Sequence, residues 1–96
     1  MADIVTDEKL DKYFSVTKEA LAMVREKGLS EEFREKAEDA LDMAQRYYDD
    51  AKHFLEKGDK VTAFAALNYA HGWLDAGARF GLFKVNDSRL FTVDDE

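Results

Sequence analysis

The feature that most constrains this chain is a proline-free series of apolar stripes at helical spacing, the third of which, over residues 60–80, covers well over half the helix circumference. A helix that is apolar nearly all round belongs among other helices. The spacing therefore predicts an all-α, up-down-up three-helix bundle. Its helices are placed at 7–27, 31–57 and 60–80, within one domain over 1–85 that is followed by a short C-terminal tail over 86–96.

The first helix is expected to begin at Thr6, whose hydroxyl can cap free N–H groups, with Asp7 and Glu8 well placed for the helix dipole. Leu10, Phe14, Thr17, Leu21 and Val24 form its inner stripe, and Lys27-Gly28 marks its end. Ser30 is the next cap. The second helix carries Phe33, Ala37, Ala40, Ala44, Tyr47, Ala51 and Phe54 on one seam, flanked by Leu41, Tyr48 and Leu55. Its alanines allow a neighbouring helix to come close, and Lys57-Gly58-Asp59 turns the chain into a tight helical hairpin.

The third helix reads as two apolar seams. One holds Ala66, Tyr69, Trp73, Ala76, Phe80 and Phe83; the other holds Ala63, Leu67, Ala70, Leu74 and Gly77. Two seams imply two helical neighbours, and Tyr69 and Trp73 are expected between helices. Gly72 and Gly77 each cost about 1 kcal/mol relative to alanine inside a helix, so a close approach is expected to compensate. Beyond this helix, Asn86-Asp87-Ser88 is a turn signal, and Leu90-Phe91-Thr92-Val93 either tucks onto the bundle or docks elsewhere.

Composition narrows the function. Fourteen basic against twenty-one acidic residues give a formal charge of −7, which repels phosphate backbones and anionic lipid, so neither nucleic acid nor membrane is expected as a partner. No stretch is long and apolar enough to span a bilayer, and residues 1–4 have neither the basic start nor the apolar run of a signal peptide. A cytoplasmic location is the expectation. The absence of cysteine removes disulfides, thiolate chemistry and cysteine-rich zinc sites.

Three patterns in the chain bear on chemistry. Asp50-x-x-His53 has the spacing of a di-iron helix motif, but such sites need a second copy and further glutamates, so no metal is expected. Arg46 and His53 echo the arginine and histidine of HEPN-type ribonucleases; Asp49, Asp50 and Glu56 nearby put negative charge where phosphate should sit. The third pattern is a mixed stripe of helix three, Val61, Phe64, Asn68, His71, Asp75, Arg79 and Leu82, in which apolar residues interrupt polar ones. Phe64 and Leu82 would stand exposed in a lone bundle, which makes this stripe a candidate interaction surface. No serine or threonine lies beside His71 at helical spacing, so no nucleophile and base pair is indicated.

The segment from Phe54 to Asp59, then Ala63 to Leu67, and then Tyr69 to Phe83 with its Gly72-Trp73-Leu74-Asp75-Ala76-Gly77 core resembles the archaeal family catalogued as domain of unknown function 357. The run Leu90-Phe91-Thr92-Val93 is similar to the end of those sequences. The resemblance implies a small three-helix bundle and brings no catalytic residue or cofactor with it. The expected function is a non-enzymatic protein-interaction or accessory module that binds a protein partner or self-associates into a homo-oligomer. The alternative is a small-molecule or nucleotide-binding accessory domain using the His71, Asp75 and Arg79 row.

Overall fold

A computed structural model describes residues 5–92 and contains α1 (Asp7–Lys27), α2 (Arg34–Glu56) and α3 (Lys60–Arg79). The expectation about a signal peptide at residues 1–4, and the Val93 end of the tail run, lie outside the described residues. Thr6 caps α1 as anticipated, its hydroxyl accepting a hydrogen bond from the Lys9 amide at 3.1 Å. The helix stops at Gly28, which has the positive φ of 97° that a side chain would strain and donates its N–H to the Val24 carbonyl.

α2 starts three residues later than its stripe predicts. The Ser30 hydroxyl does accept from the Phe33 amide, at 3.2 Å, but only across a turn. Residues 31–33 form this turn, and just before it Leu29 is paired in an antiparallel bridge with Phe83, through Ser30 N–H to the Leu82 carbonyl at 2.8 Å and Lys84 N–H to the Gly28 carbonyl at 3.0 Å. At the other end, the Asp59 carboxylate accepts from the Thr62 amide at 3.0 Å and caps α3. These hydrogen bonds hold the Asp59 carboxyl below the usual carboxylate range.

α3 packs against both other helices, most extensively against α2. The buried alanines of α2, Ala37, Ala40, Ala44 and Ala51, face Ala63, Ala66, Leu67, Ala70 and Leu74 on α3, so the backbones approach closely and larger residues fill the remaining space. One core cluster joins Ala20, Leu21 and Val24 of α1, the first half of α2, and Leu74 and Ala78 of α3. The C-terminal segment completes it with Phe83, Leu90 and Phe91. A smaller cluster of Ala51, Ala66 and Leu67, with Phe14 and Tyr48 against it, closes the opposite end.

The seam expected to hold Tyr69 and Trp73 between helices is interhelical only in part: Trp73 packs against the main core, whereas Tyr69 meets α2 through the Tyr47 ring alone and otherwise faces outward. Ala66 and Phe83 are buried, but Tyr69 is 64% exposed, Phe80 is 74% exposed, and Trp73 and Ala76 are half-buried. The reason is geometric. α1, α2 and the tail together occupy the sector from Ala66 through Ala70 and Leu74 to His71 and Asp75, and on the Tyr69 side, among the described residues, the Tyr47 ring of α2 makes a stacked contact while the rest of that face stays open.

Candidate functional site

The mixed stripe of α3 divides into a part engaged by the chain itself and a part facing solvent. Phe64 and Leu82, expected to stand exposed, are half-buried. Tyr13 of α1 meets the Phe64 ring edge-on at 5.3 Å, and Leu82 packs against the main core. Val61 is exposed, as are Asn68 and Arg79.

His71 and Asp75 are brought together, with His71 Nε2 3.7 Å from Asp75 Oδ1, and both hold the tail. The ring sits between two elements distant in sequence: Nε2 lies 2.7 Å from the Leu90 carbonyl and Nδ1 lies 3.1 Å from the Thr17 hydroxyl. A carbonyl only accepts, so Nε2 carries the proton; in the neutral ring Nδ1 then accepts from Thr17. Asp75 Oδ1 accepts from the Thr92 amide at 2.9 Å. The tail reaches this position through a tight turn, in which the Asp87 carbonyl accepts from the Leu90 and Phe91 amides and the Arg89 guanidinium holds the Asp87 carboxylate at 2.7 Å. That pairing keeps the Asp87 carboxyl below its ordinary range.

Thr17 is the residue that reading along one helix missed. The sequence places no hydroxyl beside His71 within α3, and the partner comes from α1, 54 residues away. A signal was present, since a threonine inside an otherwise apolar stripe needs a hydrogen-bond partner once buried. Thr17 is only 1% exposed, so its hydroxyl is closed to substrate. Tyr13, Thr17, Asn68, His71 and Asp75 border a hollow of about 220 Å³. Its imidazole has both nitrogens occupied by the protein, which leaves little polar capacity for a ligand.

A different surface is open. Asn68, Tyr69, Gly72, Trp73 and Ala76 line a shallow, almost wholly apolar groove of about 570 Å³ along α3. Tyr69 is steadied from α2 by Tyr47, whose ring stacks on it at 5.1 Å. Gly72 forms the floor, and a Cβ added there would meet nothing within 4 Å. Among the described residues no carboxylate lines the groove; the one acidic residue of α3, Asp75, is turned to the tail. The other outward faces are charged, with pairs such as Arg46–Asp42 and Arg34–Glu31 on α2 and its approach.

The other two patterns stay at the surface. Asp50 and His53 are exposed, and among the described residues no three histidine or carboxylate side chains are grouped to hold a metal ion. Arg46 is exposed and engaged by Asp42 at 2.8 Å. No helix among the described residues is long and apolar enough to cross a membrane.

No curated protein and no solved structure matches the chain. Residues 12–83 match the family described as protein of unknown function DUF357, and the chain belongs to that family.

Proposed function

We propose that this protein is a non-enzymatic, cytoplasmic interaction module that docks another polypeptide on the outward face of α3. The observation that carries this reading is the apolar groove lined by Asn68, Tyr69, Gly72, Trp73 and Ala76 in a chain of net charge −7. Exposed aromatic residues around small ones are the composition of an interface core, where charge is depleted and Tyr, Trp and Phe are enriched. The mixed stripe contributes Val61, Asn68 and Arg79 to the rim of this face, while Phe64, His71, Asp75 and Leu82 serve the protein's own packing. The buried Thr17 hydroxyl and the fully engaged His71 ring favour binding over catalysis.

A photo-crosslinking residue placed at Tyr69, compared with one at Asp42 on the charged face of α2, tests the reading in the native cell. Discrete adducts are expected from position 69 and not from position 42. Equal yields from the two positions, or none from position 69, overturn it.

A further inference from the structure

Resting on that reading, we propose that the occupant of the α3 groove is α3 of a second copy of this chain, packed antiparallel about a two-fold axis that passes between Gly72 and Trp73. The argument is one of size. Along the outward face, Ala65, Tyr69, Gly72, Ala76 and Phe80 follow at steps of four, three, four and four, which keeps them in one sector of the helix. In an antiparallel pair centred between residues 72 and 73, Tyr69 lies opposite Ala76 of the second copy. Phe80 lies opposite Ala65, while Trp73, about 100° round the helix from Gly72, flanks the axis beside Trp73 of the second copy. Tyr69 and Phe80 thus each meet a small residue, and Gly72, with no side chain, lies beside the axis where the two helices cross. An isologous interface requires this self-complementarity, because the same patch serves as both surfaces.

Charge points to the same occupant. Two copies at −7 repel each other over most of their surfaces, but α3 has only Lys60, Asp75 and Arg79 as charged residues, and Asp75 is held by the Thr92 amide. The outward side of α3 itself presents no carboxylate among the described residues, so two acidic copies can bring these helices together without opposing α3 carboxylates. Tyr69, Phe80 and Trp73, with the small residues and Asn68, offer about 500 Å² per copy, or about 1,000 Å² in all, at the lower bound for a specific interface. An interface of this size is expected to give a reversible, concentration-dependent dimer. Asn68 sits at the edge of the pairing, where a polar residue fixes register.

Sedimentation of the purified full chain with size-swapped variants tests the inference. Tyr69→Ala removes the large member of the central pair and Ala76→Tyr removes the small one. Each is expected to weaken dimerisation by about tenfold or more, as loss of an aromatic interface anchor does. The double variant Tyr69→Ala/Ala76→Tyr restores large against small across the two-fold axis and is expected to return within about threefold of the parent. Circular dichroism checks that each variant is folded. Because the chain has no cysteine, a Tyr69→Cys/Ala76→Cys variant should also oxidise to a covalent dimer, whereas Tyr69→Cys alone should not. A parent that stays monomeric to about 1 mM overturns the second copy as occupant. In that case crosslinks from position 69 to a different protein would leave the docking reading intact. Association that none of the variants changes places the contact elsewhere and likewise overturns the second copy as occupant of the groove.

Discussion

Gly72 and Gly77 lie five residues apart in the same helix and have opposite surroundings. At Gly77 an added Cβ would overlap the Phe83 ring, so the missing side chain admits an aromatic residue that closes the core. At Gly72 an added Cβ would meet nothing, so its missing side chain deepens an open groove. Both carry the same intrinsic cost in a helix, and only one recovers it within this chain. The difference shows that a small residue in a helix identifies a place for close approach without saying what approaches.

The largest effect is expected from the partner of the closed glycine. Phe83→Ala should destabilise the fold by about 3–5 kcal/mol, as deletion of a buried phenylalanine does, measured by urea unfolding of a dilute sample. In that background Gly77→Ala should lose most of its own penalty, because the ring it collides with is gone. Equal penalties in the two backgrounds would show that Phe83 is not what constrains Gly77.

Next come the two glycines themselves. Gly77→Ala should cost about 1–3 kcal/mol through overpacking against Phe83, less about 1 kcal/mol of regained helix propensity. Gly72→Ala should stabilise the monomer by about 0.5–1 kcal/mol, since it gains propensity and collides with nothing. Opposite signs sharpen the comparison, and matching signs break it.

A smaller effect belongs to the tail clamp, on the flank of α3 between the two sides. Thr17→Val keeps the buried shape but removes the hydroxyl bonded to His71, at a cost of about 1 kcal/mol. Faster amide exchange at Thr92 should accompany it, because His71 and Asp75 hold that segment together. Unchanged exchange would mean that Phe83, Leu90 and Phe91 anchor the tail without the clamp.

The smallest effect is electrostatic. The Asp59 carboxyl is depressed in the folded state by its hydrogen bonds to Thr62, so its contribution is present above its unfolded value of 3.8 and lost as pH falls through the lower folded value. Stability should decline in acid partly for this reason, and Asp59→Asn, which caps without titrating, should flatten that part of the curve. A pH profile identical in the variant would remove Asp59 from the account.

Much of the fold was legible in the residues. Thr6, Gly28, Gly58 and Asp59 delimit helices because caps and positive-φ turns act over a few residues, and the inner stripes of α1 and α2 follow from local periodicity. The α2 start falls three residues beyond the expected one, whereas the Leu29–Phe83 bridge, between residues more than fifty apart, left no local signal. The mixed stripe was sound as a pattern, but a pattern on one helix cannot tell a partner from the chain's own tail. His71 and Asp75 took up Leu90 and Thr92, while Tyr69 and Phe80, read as interhelical, remained outside.

The residues alone dictated three helices, their capping and an α3 too apolar for a solvent-facing helix, because hydrogen bonding and hydrophobic periodicity are local properties of the chain. Which side of α3 would be covered was settled by packing. A helix has room for a limited number of neighbours, and once α2, α1 and the C-terminal segment had buried Leu67, Leu74 and Gly77, the described residues left Gly72 and Phe80 exposed and gave Tyr69 the Tyr47 ring of α2.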